Sequence, residues 1–309
     1  MRHFQGSVAI GRRFLLRGRR RWVASRVALR RVALRLALFL TLPFALPAQA
    51  ELPRAASVPG GIALLRLGPV SAGKDRPRAW YAAQRVLVTA EAGAWYALVG
   101  LPLDALPGRH VLRVEAGEES RTINFDVAAR NYPEQRIQLK DSSKVHLSAA
   151  DEARAARDIE AIQRYKRHWR DTAHVDTAFK LPANGRLAGR FGVRRVFNGE
   201  ARAPHVGLDV AVPRGTTVRA SAVGKVLAVD DYFFNGKTVI VDHGHGLITL
   251  YCHLERIDVR AGALLDKGQA IGLSGMSGRA SGPHVHWSVV LNGVMVDPEL
   301  FVAPSARSR

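Results

Sequence analysis

Ser281-Gly282-Pro283-His284-Val285-His286-Trp287 sets a Gly-Pro turn signal against a β-prone run that continues through Val289 and Val290. In a strand, positions i and i+2 point to the same face, so His284 and His286 look at one spot. Neutral imidazole is the commonest metal ligand and also the usual general base near neutral pH. A same-face pair can therefore supply one of each. The alternative at this point is a pair of partly buried histidines hydrogen-bonded within a sheet.

Two other stretches offer partners. Upstream stands Pro204-His205-Val206-Gly207-Leu208-Asp209, a His-x-x-x-Asp, and between the two lies Tyr251-Cys252-His253-Leu254. Zinc takes His nitrogen and carboxylate oxygen, and catalytic sites keep three protein ligands plus an open position. His205, Asp209 and His286 would make such a set. Four extended residues span about 13 Å, so the chain has to bend between His205 and Asp209. Gly207 offers the bend, and Pro204 argues against a helix running into the motif.

The ordered set His205-x3-Asp209, Tyr251-x-His253-Leu254 and Gly282-Pro283-His284-x-His286 resembles the lysostaphin-type (LytM-like) zinc metalloendopeptidases, peptidoglycan hydrolases of bacterial cell walls. The likeness runs over about residues 181–301. It includes Phe191-Gly192-x-Arg194-Arg195, the segment from Gly215-Thr216 to Val226, and Asp242-His243-Gly244-x-Gly246. It implies one Zn²⁺ held by His205, Asp209 and His286. It also implies that His253 and His284 flank the open position, one handling the proton of the attacking water and the other stabilising the oxyanion. The expected fold is mainly β: an antiparallel-sheet, lysostaphin-like peptidase domain over residues 181–309. The implied reaction is hydrolysis of peptide cross-links in peptidoglycan during cell-wall remodelling. Two alternatives stay beside it: a non-catalytic adaptor that activates a cell-wall amidase, and a secreted peptidase acting on proteins. No Glu of the His-Glu-x-x-His kind is present, so a helical zincin is excluded as a motif match.

The rest of the chain fits export. Residues 1–50 hold eleven arginines and no Lys, Asp or Glu; Leu36–Ala48 is then an apolar stretch of signal-peptide length, ending in Ala48-Gln49-Ala50 as a small-x-small cleavage site. A periplasmic protein of a Gram-negative cell is expected, or an anchored one if the signal stays uncleaved. Most of the formal +20 charge is in this leader: the remainder carries 35 basic and 26 acidic side chains, a net +9 that suits the carboxylate-rich wall. No nucleic-acid recognition motif accompanies the charge. Cys252 is the single cysteine, which rules out an intramolecular disulfide. In a strand it would face away from His253, as a core filler rather than a nucleophile.

Residues 51–133 read as a small all-β domain. Its runs are Ile62–Leu67, Gln84–Thr89, Ala94–Val99, His110–Val114 and Thr122–Val127. The stretches Pro59-Gly60-Gly61 and Asn131-Tyr132-Pro133 resemble the β-rich N-terminal domain found in Gram-negative members of the family. Residues 134–180 read as a linker with one helix over about 149–170. Ser148 and Asp151 form its capping signal, and Ala155, Ile159, Ile162, Tyr165 or Lys166, and Trp169 its apolar stripe. That stripe has to dock on something, and a cover over the peptidase groove by the helix or the N-terminal domain is one outcome. His243 and His245 flank Gly244 and read as turn residues without a ligand role.

Overall fold

Runs of Val, Ile, Leu and aromatic residues, punctuated by Gly-containing turns, give an almost wholly β chain with one α-helix among the described residues. A computed structural model describes residues 52–73, 75–138, 147–201 and 203–304. The leader read over residues 1–50 lies outside these. No helix among the described residues is long and apolar enough to cross a membrane.

The first region holds β1 (Ile62–Pro69), β2 (Arg78–Tyr81), β3 (Gln84–Arg85), β4 (Leu87–Glu91), β5 (Ala94–Gly100), β6 (Gly108–Ala116) and β7 (Glu119–Val127). They form two antiparallel sheets, β1-β5-β4 and β3-β2-β6-β7. Residues from both sheets, among them Leu67, Val88, Val99, Leu112 and Val114, share one core. The expected run Gln84–Thr89 is split at buried Val86, and its halves join different sheets. β2 was not foreseen, because Arg78-Ala79-Trp80-Tyr81 is short and starts on a charge.

The segment expected to hold only a helix also contributes β8 (Glu134–Ile137). β8 pairs in parallel with a strand some sixty residues on, Glu134 opposite Arg194 and Ile137 opposite Phe197. The helix α1 follows (Ala149–Lys166). Ser148 caps its N-terminus by accepting from the Asp151 amide at 3.2 Å, an interaction worth about 1 kcal/mol.

The remaining strands are β9 (Arg186–Gly189), β10 (Arg194–Phe197), β11 (Glu200–Ala201), β12 (Leu208–Ala211), β13 (Thr217–Arg219), β14 (Gly224–Tyr232), β15 (Gly236–Gly244), β16 (Leu247–Ile257), β17 (Leu264–Leu265), β18 (Ala270–Ser274), β19 (Val285–Leu291) and β20 (Val294–Val296). Ten of them build one antiparallel sheet with the path β17-β14-β15-β16-β19-β12-β9; β18 and β20 attach to β16 and β19, and β13 to β18.

The two faces of this sheet are both buried, which is why its central strands read as near-continuous apolar runs. On one face Val239, Val241, Tyr251, Trp287, Val289 and Leu291 pack with Phe179 and Phe301, and Ile62, Leu87 and Leu98 of the first region belong to the same cluster. Gly100 and Asn292 seal that junction. The Gly100 amide donates to Asn292 Oδ1 at 2.6 Å, and Asn292 Nδ2 donates to the Gly100 carbonyl at 3.1 Å. On the other face Ala228, Tyr232, Ile240, Ile248, Leu250, Cys252 and Val290 receive Ala161, Ile162 and Tyr165 of α1. Ile159, expected in the docking stripe, is instead 50% exposed, whereas Ala155 of the same stripe is buried and Ile162 and Tyr165 pack inward. Alternation along β19 puts His286 and Ser288 on the same face as Val290.

Candidate metal centre and its flanking histidines

Register brings the first two residues together. Asp209 on β12 lies directly opposite His286 on β19, and His286 lies opposite Cys252 on β16. His205 precedes β12 and is fixed by two backbone bonds to the Gly192-Val193 turn, with the Gly192 amide donating to the His205 carbonyl and the His205 amide to the Val193 carbonyl. The chain then bends through Val206-Gly207. Gly207 is required for a different reason from the one its sequence suggests. A Cβ there would lie 2.6 Å from the His286 ring and 2.7 Å from Ser288 Oγ, so glycine is needed for close approach, not for a special backbone conformation.

The result is a tight triangle. His205 Nε2 stands 3.0 Å from Asp209 Oδ1 and 3.0 Å from His286 Nδ1, and His286 Nδ1 stands 2.9 Å from Asp209 Oδ1. The outer nitrogens fix the tautomers. His205 Nδ1 lies 3.0 Å from the Arg190 carbonyl, an obligate acceptor, so it carries the proton. Ser288 donates its own hydroxyl hydrogen to the Val206 carbonyl and is left to accept from His286 Nε2 at 2.9 Å. Both neutral rings thus turn an unprotonated nitrogen toward the same carboxylate oxygen. Three lone pairs meeting at about 3 Å repel unless a cation lies among them, and this donor set of two imidazoles and one carboxylate is one that zinc accepts. Among the described residues this trio is the group of His, Cys, Asp and Glu side chains close enough to hold a metal ion.

Electrostatics agree with the geometry. Burial raises the Asp209 carboxyl, but His205 and His286, as N–H donors toward it when no cation lies between them, would outweigh burial and hold the group well below the ordinary carboxylate range. Burial lowers His286, against the pull of Asp209. Arg195 approaches Asp209 Oδ2 at 3.9 Å, a neighbour that its place in the sequence did not single out.

His284 and His253 stand beside the triangle. His284 Nε2 is 3.7 Å from Asp209 Oδ1, and its Nδ1 donates to the Gly282 carbonyl at 2.8 Å. The His253 ring centroid is 4.7 Å from that of His284 and 6.0 Å from that of His286. Its Nδ1 donates to the Ser277 carbonyl at 2.9 Å. Each flanking ring therefore offers a bare Nε2 when neutral. Burial, reinforced by the His286 ring, pushes His253 down to about 4.

His253 reaches this spot through a distortion. Strict alternation would send it to the face opposite Cys252. Instead β16 carries an extra residue between the pairs Val239–Tyr251 and Lys237–Leu254, and His253 has φ +62°. A bulge of this kind re-aims a side chain, and a left-handed non-glycine costs on the order of 1 kcal/mol or more. Cys252 keeps the strand geometry and stays wholly buried, with its thiol pushed up to about 11 by burial. It is a poor nucleophile.

His243 is not a turn residue, as its sequence had suggested. It lies within β15, 3% exposed, with Nδ1 2.7 Å from the Val223 carbonyl and Nε2 2.8 Å from Thr249 Oγ1. His245 does occupy the turn, with φ +51°, and meets Arg76 and the Thr172 backbone.

Residues 203–298 match the family described as Peptidase family M23, and residues 55–130 match its N-terminal domain. A peptidoglycan DD-endopeptidase, ShyA of Vibrio cholerae serotype O1, is 36% identical over 131 residues, which is 42% of this chain and 30% of that protein. The DD-carboxypeptidase/endopeptidase Mpg of Neisseria meningitidis serogroup B is 38% identical over 101 residues, 33% of this chain and 23% of that protein. The chain thus spans less than a third of the length of either relative. A crystal structure of a Pseudomonas aeruginosa protein assigned to peptidase M23 superposes with TM-score 0.67 and 38% identity, over 80% of this chain and 95% of that one.

Proposed function

The chain belongs to peptidase family M23, and from that membership we propose that it is a zinc-dependent endopeptidase that hydrolyses peptide cross-links of peptidoglycan, exported to the periplasm through its arginine-rich leader. The observation that carries the reading is the triangle of His205 Nε2, His286 Nδ1 and Asp209 Oδ1, with both outer nitrogens already committed to carbonyl and hydroxyl partners. A zinc ion held by these three would polarise a scissile carbonyl and lower the pKa of a water toward about 7. The protein's own groups do the rest. Arg190 and Ser288 keep the two ligand rings in the tautomers that face the carboxylate. His253 and His284, each with Nδ1 tied to a backbone carbonyl, keep Nε2 uncommitted, and their ring centroids lie 4.7 Å apart. Between them they can take the proton released from water and donate to a developing oxyanion.

Relatives of this chain are named as a peptidoglycan DD-endopeptidase and a DD-carboxypeptidase/endopeptidase, which makes D,D cross-links the first bond to test. The N-terminal region shares a core with the peptidase sheet through Ile62, Leu87 and Leu98. The test is digestion of purified sacculi with and without a zinc chelator, followed by separation of the released fragments. The reading expects cross-linked fragments to be converted to monomers, with the conversion lost in chelator and restored by zinc. An unchanged fragment profile, or cleavage of a protein substrate in its place, contradicts it.

A further inference from the structure

The helix α1 does more than cover the sheet. Phe233-Phe234-Asn235, the turn between β14 and β15, is bonded at one end to the helix and at the other to His253. The Phe233 amide donates to Asp158 Oδ2 at 2.7 Å. Two residues on, the Asn235 carbonyl accepts from the His253 amide at 2.8 Å, and Asn235 Nδ2 contacts Cys252 Sγ at 3.2 Å. The same turn grips the loop that holds the His253 ring. The Arg279 amide donates to the Phe234 carbonyl at 3.0 Å, and the Lys237 amide donates to Ser277 Oγ at 2.9 Å. Here the two loops touch backbone to backbone: a Cβ on Gly236 would lie 2.4 Å from the Ser277 carbonyl carbon, and one on Gly278 would lie 2.7 Å from the Phe234 carbonyl oxygen. Both the amide and the ring of the bulged His253 therefore hang from a two-loop unit.

That unit's tie to the helix is local and polar. Arg154, one turn before Asp158, donates to the Asp231 carbonyl at 3.0 Å and lies 3.8 Å from Asp158 Oδ2, which holds the carboxylate against the turn. The left-handed backbone of His253 is strained, and a strained residue persists only when its surroundings over-determine it. We propose that Asp158 is a positioning residue for His253: through the Phe233 amide and the Asn235 carbonyl, the linker helix sets the placement of a proton-handling group in the peptidase site. The inference rests on the peptidase reading for its kinetic consequence, but not for its structural one.

The experiment compares the full chain with Asp158→Ala, Asp158→Asn and, as a control on the outer face of the helix, Glu160→Ala. Amide hydrogen exchange, zinc content and steady-state kinetics on a soluble cross-linked peptide are measured for each. Asp158→Ala should speed exchange at residues 233–235 and 253 by about 10-fold or more while the central strands stay protected. It should also lower kcat on the order of 10-fold with KM and zinc content unchanged, because a small misplacement of a reacting group acts on turnover. Asn keeps a carbonyl oxygen for the Phe233 amide, so Asp158→Asn should restore most of both, and Glu160→Ala should change neither. Unaltered exchange at His253 in Asp158→Ala, or an Asn variant as impaired as the Ala variant, overturns the proposal. If the wild-type protein proves inactive on cross-linked peptides, the peptidase reading fails while the exchange data still judge the helix's hold on His253.

Discussion

His243-Gly-His245 and His284-Val-His286 are both His-x-His pairs in the same antiparallel sheet, each pair with an acidic residue at hand, and they end in different chemistry. At the second pair Asp209 faces imidazole nitrogens whose protons have been drawn off to Arg190 and Ser288, and the approaching groups are unprotonated. At the first, Asp242 is 0% exposed and its charge is met by Arg170, which donates to it directly, with His168 3.7 Å away. Both His243 nitrogens already have neutral partners within the core. Backbone direction separates the pairs too. His286 sits in a regular strand, whereas Gly244 at φ +98° turns the chain between His243 and His245, so their rings do not share a face. The lesson is that an imidazole can serve as a ligand when its outer nitrogen is tied elsewhere and the nearby carboxylate has no directly hydrogen-bonded cation: Arg195 stands off at 3.9 Å from Asp209 Oδ2, whereas Arg170 donates to Asp242.

The largest effect that could break this comparison is loss of a ligand. His205→Ala or Asp209→Ala should abolish hydrolysis of sacculi in a turnover assay, since each removes one of the three proposed metal donors; substantial residual turnover would place the chemistry elsewhere. Next come His253→Ala and His284→Ala. Each should keep its zinc, measured by elemental analysis, yet lose on the order of 10²-fold in kcat. Loss of zinc in His284→Ala with retention in His286→Ala would show that the two histidines exchange roles.

A smaller effect sharpens the other side. His243→Ala should leave zinc content and turnover intact but lower unfolding stability by about 1–3 kcal/mol, because it removes the ring that bonds the Val223 carbonyl and the Thr249 hydroxyl in the core. Denaturant melts would register it. The pH dependence supplies the smallest test. Burial depresses the folded pKa of His243 and, more than the neighbouring Arg76 does, that of His245. The unfolded chain therefore binds more protons below about pH 6.5, and the stability these neutral rings contribute is full above that value and lost as pH falls beneath it. Wild type should lose more stability than His243→Ala between pH 7.5 and 5.5. Parallel curves would mean that burial does not depress the folded-state pKa of His243.

Much of this arrangement is legible in the residues. The i, i+2 spacing of His284 and His286 and the separation of His205 from Asp209 bring four side chains to one place, and the structure sets them there within 4 Å of Asp209. Ser288 could have been found by the same period of two. Other features depend on partners far along the chain. The Arg190 carbonyl has no side-chain signature, the bulge at His253 places a non-glycine at positive φ, and Glu134–Ile137 becomes a strand by parallel pairing with Arg194–Phe197. Ile159 is exposed although it lies on the apolar period of α1, a departure that helical periodicity does not encode.

The central claim, that His286 of one His-x-His pair helps to hold a metal while the other pair contributes no ligand, is most directly tested by zinc content. Wild type, His243→Ala and His286→Ala are purified in parallel, checked for folding, dialysed against dilute zinc and analysed for bound metal. The account predicts about one zinc per chain in wild type and in His243→Ala, and close to none in His286→Ala. A full equivalent retained by folded His286→Ala, or its loss from folded His243→Ala, would contradict it.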